Sequence, residues 1–231
     1  MKTHSILWIL ILWNSAQALE VQGYARSRDN HKLIYIEKHH FDVDEKGLNK
    51  FISTDYCDPD GHIFARAKVD FSRNSLVPDI QFEDDRFGLK ETQILNSAEN
   101  LVHLSQQKKE ALLTEKNISM NSTMVSGQGF DNYIKSNFSL PEKEKLNFHF
   151  VVLSKLNDYH FFVVAESGQR PNEKRFRLSP DNLFLRLLTP NIQVTYDTRT
   201  KNLLFYEGLS NILAKNGATQ EVEITYERPP P

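Results

Sequence analysis

The chain has 231 residues, with 28 lysines and arginines against 30 aspartates and glutamates, which gives a formal net charge of −2 at pH 7. This length supports one large domain, or two small ones, with a true hydrophobic core. The charge balance leaves no basic field for nucleic acid or for an anionic membrane surface, so no nucleic-acid partner is expected. Cys57 is the single cysteine, so an intramolecular disulfide is impossible and the core must stabilise the fold unaided.

The first eighteen residues have the pattern of a secretory signal peptide, with Lys2 at a positive start, an apolar run over Ile6–Trp13 and a small-x-small end at Ala16–Ala18. We predict cleavage between Ala18 and Leu19, and export of the remaining chain. An uncleaved membrane anchor is the alternative, but a spanning helix needs roughly 20 apolar residues. Because Leu19 is not a cysteine and no later apolar stretch is long enough to span a bilayer, neither a lipid tether nor a transmembrane anchor is predicted after cleavage.

From Leu33 onward, short segments rich in apolar and β-branched residues alternate with turns, which predicts an antiparallel meander. The first two predicted strands are Leu33–Lys38 and Asn49–Tyr56. The segment Asp58-Pro59-Asp60-Gly61 suits a tight turn, with proline preset for its second position and glycine free to take a positive φ. It predicts a hairpin between Lys50–Tyr56 and His62–Asp70. The residues predicted on one face of the second arm are Ile63, Ala65, Ala67 and Val69.

The middle of the chain predicts more strands with weaker boundaries, namely Ile80–Glu83, Gly88–Leu95, Asn100–Ser105 and Ala111–Lys116. Residues 117–129 are rich in Ser, Asn, Met and Gly without periodicity, so they predict a linker between two halves of the sheet. After them, Phe130, Tyr133, Ile134 and Phe138 fall on one helical face. This spacing predicts a helix that packs on the sheet and is stopped by Pro141.

The predicted late strands are Leu146–Leu153, Tyr159–Glu166, Arg175–Leu178, Ile192–Tyr196, Asn202–Tyr206 and Glu221–Tyr226. Ser179-Pro180-Asp181 has the form of an N-cap followed by proline, so Asn182–Leu188 is either a short helix or an extended segment. The whole pattern predicts a mainly β fold over residues 19–231. We expect a single domain with one large curved antiparallel sheet, as an open half-barrel or a sandwich-like arrangement, and one or two short helices packed on it.

A histidine and carboxylate cluster, His39-His40-Phe41-Asp42-Val43-Asp44, is the candidate metal site. An extended chain would place His40, Asp42 and Asp44 on one side, with two kinds of ligand atom. A metal-dependent hydrolase using these residues and His39 is therefore one hypothesis. The alternative is a solvated connection between the first two strands. No nucleophile elbow, phosphate-binding glycine loop or paired-histidine zinc motif occurs in the chain, so no catalytic residue and no cofactor are predicted.

Three segments carry a resemblance to a known group of proteins. They are Asp58-Pro59-Asp60-Gly61 with Ala65 and Asp70-Phe71, then Gly127-x-Gly129-Phe130-Asp131-x-Tyr133, and lastly Tyr196-Asp197 with Leu203-Leu204-x-Tyr206-x-Gly208-x-Ser210-Asn211-Ile212. Together they resemble a family of exported Gram-negative bacterial proteins with no assigned activity. The resemblance implies an envelope location, most simply the periplasm, and it transfers no site residues.

The leading functional hypothesis is a non-enzymatic periplasmic binding or envelope-accessory domain. If the helix near Phe130 fills the concave side of the sheet incompletely, the aromatic residues of Tyr159–Val164 would line an apolar pocket for a lipid or similar small molecule. A third hypothesis, beside the hydrolase, is an interaction module that offers the edge strand Glu221–Tyr226 to an envelope protein.

Overall fold

A computed structural model describes residues 19–45, 47–182 and 192–227. The first eight strands are β1 (Leu19–Ser27), β2 (Leu33–Val43), β3 (Asn49–Cys57), β4 (Ile63–Asp70), β5 (Asp79–Asp84), β6 (Leu89–Asn96), β7 (Leu101–Gln107) and β8 (Thr114–Ser119). The remaining elements are β9 (Met124–Ser126), α1 (Gly129–Ser136), β10 (Lys145–Val152), a 3₁₀ turn (Leu153–Lys155), β11 (Asn157–Ser167), β12 (Glu173–Pro180), β13 (Ile192–Asp197), β14 (Leu203–Leu209) and β15 (Glu221–Glu227).

All fifteen strands form one open sheet in the order β8-β7-β6-β5-β4-β3-β2-β1-β15-β14-β13-β12-β11-β10-β9. Neighbouring strands are antiparallel, except that β9 pairs with β10 in parallel. The last strand, β15, lies between β1 and β14 and joins two meanders into one sheet. The predicted mainly β fold with a large curved sheet is therefore confirmed, and the sheet is mixed only through the short β9.

The β3–β4 hairpin forms as predicted. The Gly61 amide donates to the Asp58 carbonyl at 3.0 Å, and Gly61 has a φ of 91°. Along β4, Ala65, Ala67 and Val69 are buried while the residues between them are exposed. This alternation follows from the period of two in a strand with one face turned to the core. It is also the pattern that places every second side chain of the meander on the concave side.

The two ends of the sheet approach each other without strand-to-strand pairing. The edge strands β8 and β9 form no ladder with one another among the described residues. Instead, the Gln93 amide on β6 donates to Ser126 Oγ on β9 at 2.6 Å, and the Ser126 amide donates to the Leu76 carbonyl at 2.9 Å. Val102 on β7 and Val151 on β10 belong to the same buried apolar cluster. The sheet is thus curved enough to enclose its concave side.

The predicted aromatic helix is α1, and it packs against strands β10 to β13. Phe130 stacks on Phe148 with ring centroids 5.9 Å apart, and Ile134 is buried in the same cluster as Phe176. The helix ends well before Pro141, because the Asn137 amide caps the Tyr133 and Ile134 carbonyls at 3.1 Å each. In the described ranges, no helix has the length and apolarity needed to cross a bilayer.

Several segments differ from their predictions. Residues 117–129, predicted as an irregular linker between two halves of the sheet, do run from one edge strand to the other, but they contain the end of β8, the fully buried β9 and the first residue of α1. Ser179 and Pro180 are the last two residues of strand β12, and 183–188 of the segment predicted as a short helix or an extended stretch lie outside the described residues. Glu221–Tyr226 is an interior strand, because both of its neighbours are hydrogen-bonded to it, so it offers no free edge. Strand β1 has no counterpart among the predictions.

Candidate functional site

The concave side of the sheet encloses a cavity of about 1430 Å³. Its wall comes from both meanders, from α1, and from the loop between β14 and β15. Most of the lining side chains are apolar or aromatic, including Ile52, Phe82, Leu89, Phe150, Val194 and Ile224. Ligand pockets for drug-sized molecules are about 300–1,000 Å³, so this cavity has room for a larger apolar molecule.

The aromatic strand singled out in the sequence contributes to this cavity with alternate residues. Tyr159 and Phe161 on β11 line it. Phe162 points the other way, where the Lys145 ammonium lies 4.1 Å from the centre of its ring. The other half of the wall, from β2, β3 and β15, has no counterpart in the sequence prediction. Its members lie at alternating positions of separate strands, and no local motif joins them.

A buried polar cluster interrupts the apolar wall on β2, β3 and β15. His39 Nε2 lies 2.9 Å from Glu37 Oε2, and His39 Nδ1 lies 2.8 Å from Thr54 Oγ1. The Tyr226 hydroxyl donates to the same Glu37 oxygen at 3.1 Å. Glu37 and His39 line the cavity, whereas Thr54 is 2% exposed and does not. The cluster therefore presents the paired Glu37 and His39 to the cavity, whereas the Thr54 hydroxyl is buried behind them.

Four tyrosines surround Glu37 and keep their protons. Burial, and secondarily the nearby Glu37 charge, raise the pKa of Tyr35, Tyr56, Tyr206 and Tyr226. Their hydroxyls are hydrogen-bonded: Tyr35 to Ser210 at 2.8 Å, for example, and Tyr206 to the Leu209 carbonyl at 2.6 Å. A raised phenol pKa means that these groups remain neutral at ordinary pH. This side of the cavity thus acts as a rigid, amphipathic surface.

A second carboxyl group, Glu91 on β6, lines the cavity without a salt bridge among the described residues. Gln106 Nε2 donates to Glu91 Oε1 at 2.6 Å. Burial raises the pKa of Glu91, an effect that the Gln106 hydrogen bond only partly offsets. Desolvation at this position disfavours the ionised carboxylate, and the Gln106 hydrogen bond opposes that effect.

The Glu91→Gln variant should change how stability depends on pH. A carboxyl whose pKa is higher in the folded state stabilises the fold below its unfolded pKa, and this contribution is lost as pH rises through the folded pKa. As the pH rises from 4 to 8, the melting temperature of the wild type should therefore fall relative to that of Glu91→Gln. Glutamine is the suitable replacement because its side-chain oxygen can still accept the hydrogen bond from Gln106. Thermal melts across that range test this. Parallel curves for the two proteins would contradict it.

At the helix end of the cavity, α1 is attached to both meanders. Asp131 accepts hydrogen bonds from Tyr196 and from the Asn49 amide group, each at 2.9 Å, and its carboxylate lies 2.8 Å from the Lys135 ammonium. The wholly buried Asn132 accepts from the Asn49 backbone at 3.0 Å. The helix is thereby fixed to β3 and to β13 at once, and it closes part of the concave side.

The predicted metal residues are divided between the two faces of β2. His39 faces the cavity, whereas His40 is on the outer face, 3.3 Å from Glu20. Asp42 follows on the His40 face, and Asp44 lies beyond the strand, where it accepts from the Leu48 amide at 2.8 Å. The structure therefore does not place His39 with His40 and Asp42.

In the described part of the chain, the three ligand atoms that come within 4.8 Å of one another belong to Asp58, Asp60 and His62. These residues form the exposed β3–β4 turn, in which Asp58 Oδ1 accepts from the Asp60 and His62 amides at 3.0 and 2.9 Å. The carboxylate is thus occupied in shaping the turn. Cys57, next to it, is buried, and desolvation raises the pKa of its thiol, which disfavours the thiolate that a nucleophile needs.

Two of the three segments quoted for the resemblance, the second and the third, meet beside the cavity. Asp131 from the second segment contacts Tyr196 from the third at 2.9 Å. Ser210 and Asn211, also from the third, bond to Tyr35 and Tyr56 at 2.8 and 3.3 Å. These residues hold the wall and its helix in place. In comparisons with known proteins, no family model, curated protein or solved structure matches the chain.

Proposed function

We propose that this chain is an exported, non-enzymatic binding protein that holds a lipid or a similarly apolar molecule in its central cavity. The observation that carries the proposal is the cavity of about 1430 Å³ lined mainly by apolar and aromatic side chains. Apolar surface facing a large cavity favours an apolar guest, because contact with the guest removes that surface from water.

The polar groups of the wall support a binding role over a catalytic one. Glu37 and His39 are bonded to each other, and the second nitrogen of His39 is bonded to Thr54. A hydroxyl nucleophile must reach its substrate, but Thr54 is behind the wall. Paired polar groups in an apolar pocket orient a ligand's head group, and they do so without chemical change.

The proposed location is the periplasm. The pattern of the first eighteen residues and the resemblance to exported Gram-negative proteins both support it. Osmotic-shock fractionation, with mass spectrometry of the N terminus, tests this part separately from ligand binding. Recovery of the protein with residues 1–18 still attached, in the cytoplasmic fraction, would overturn it.

Native mass spectrometry of the protein isolated after export tests the ligand. We expect a population heavier than the protein chain, and solvent extraction should release an apolar molecule of the missing mass. After extraction, the emptied protein should bind the fluorescent apolar probe phenylnaphthylamine saturably. The expected stoichiometry is one probe molecule per protein chain. A protein of bare chain mass that also fails to bind the probe would refute the proposal.

A further inference from the structure

The connection between β7 and β8 exposes two adjacent leucines to solvent. Leu112 is 92% exposed and Leu113 is 51% exposed, whereas the other exposed large apolar side chains of the described residues, Phe51 and Ile63, reach 38% and 41%. We call residues 108–113 the leucine tip. Contiguous exposed apolar surface is the feature by which membrane and protein contact sites are recognised, and these two leucines are adjacent in the chain.

The leucine tip lies at an opening of the cavity. Lys108 is exposed and also lines the cavity, as does Gly217 on the loop between β14 and β15. The Lys109 amide donates to the Phe87 carbonyl at 3.3 Å, so the tip adjoins the turn between β5 and β6. That turn reaches the β14–β15 loop through Arg86, which donates to the Leu213 carbonyl at 3.1 Å. Three connections thus adjoin one another where exposed residues line the cavity, and we take this place as a mouth, with the leucines on one of its connections.

We propose that the leucine tip inserts into the surface of a phospholipid bilayer and thereby presents this mouth of the cavity to membrane lipid. The idea rests on the proposed function, because it gives a lipid guest a route between bilayer and cavity. Two leucines reach the boundary between head groups and acyl chains, as the apolar residues of interfacial segments do.

The charges next to the leucines favour a bilayer that contains anionic lipid. Lys108 and Lys109 precede them, and Glu110 offsets one of these two positive charges. Lysines at the membrane surface can extend their ammonium groups toward head groups while their stems remain among apolar neighbours. The chain as a whole has a net charge of −2, so its overall charge does not supply this attraction, and we assign it to Lys108 and Lys109.

A second copy of the chain is the competing occupant, and area argues against it. A specific protein interface buries about 1,200–2,000 Å² in total. The tip exposes two large apolar side chains, and the residues on either side of them are exposed and mostly polar. A bilayer requires no complementary surface of that size, because an apolar side chain is accommodated wherever it enters.

Vesicle flotation with the protein isolated after export tests the proposal. We expect the protein to float with vesicles of equal parts phosphatidylglycerol and phosphatidylcholine, and the Leu112→Ser/Leu113→Ser variant to bind at least about tenfold more weakly. Ile63→Ser, which removes an exposed apolar side chain from a different hairpin, is the matched control and should float like the wild type. Lys109→Gln should weaken binding about fivefold on these vesicles and have no effect on pure phosphatidylcholine.

Two further measurements separate this proposal from the proposed function. Uptake of phenylnaphthylamine in solution, without vesicles, should be equal in the wild type and the double-serine variant. Probe uptake without any flotation would refute the membrane role alone, and flotation without probe uptake would refute the cavity ligand alone. Sedimentation completes the test: if the double-serine variant turned a dimer into a monomer, the leucines would cover a second copy, and membrane docking would be overturned.

Discussion

Replacing Ala67 with tryptophan is expected to abolish ligand uptake while leaving the sheet folded. Ala67 on β4 is almost wholly buried, and its side chain lines the cavity beside Phe82 on β5. A tryptophan there extends into the space that the proposed guest occupies. Because it enters a cavity, the substitution should avoid most of the about 1–3 kcal/mol that overpacking costs in a filled core.

The measurement is phenylnaphthylamine titration of the emptied protein, in which we expect at least a tenfold loss of affinity for Ala67→Trp. Lys68→Trp is the matched control, since Lys68 is the next residue on the same strand and is exposed on the opposite face. It adds a side chain of the same size outside the cavity and should bind the probe normally. Equal binding by both variants would show that the probe site is elsewhere.

Gly129→Ala is expected to destabilise the protein by at least about 3 kcal/mol, a large fraction of the usual stability of a domain. A Cβ atom at Gly129 would lie 2.1 Å from the Leu76 carbonyl oxygen, which is backbone and cannot rotate away. To make room for the methyl group, α1 would have to move away from the segment that precedes β5. In an ordinary helix the same change would stabilise by about 0.5–1 kcal/mol, so the expected sign is reversed.

Urea denaturation followed by circular dichroism measures this loss. Gly47→Ala serves as the control, because nothing lies within 4 Å of a Cβ there, although its φ is +76°. The free energy of unfolding of that variant should fall by only about 1 kcal/mol, which is the cost of placing alanine in a left-handed backbone conformation. If Gly129→Ala were as stable as the wild type, the close approach of helix and loop would not exist in solution.

The strands were predictable because their information is local. Apolar and polar residues alternate within each segment, and Asp58–Gly61 encodes its own turn, so β3 and β4 follow from neighbouring residues. Strand β9 was not predictable, since three residues are too few to show a period and its partner β10 runs parallel to it. The position of β15 depends on pairing with β1, almost the whole chain away, and no local pattern encodes that choice.

The site was predictable only in part, for a related reason. Tyr159 and Phe161 are a visible aromatic pair on one face of a strand, so that part of the wall could be anticipated. The Glu37 and His39 cluster was missed because the predicted strand ended at Lys38, before the alternation could place His39 inside and His40 outside. Whether a concave face is filled or hollow depends on distances between remote strands, which local sequence does not specify.

The place of β15 in the middle of the sheet has a consequence for how the protein is made. Tyr226 on this strand donates to Glu37, a partner 189 residues earlier in the chain. The two meanders can each begin to form hairpins during synthesis, yet the cavity wall is complete only when the final strand is in place between β1 and β14. Such distant contacts make folding slow. Under the proposed export, a chain crossing a membrane would therefore lack a complete cavity wall until β15 has emerged.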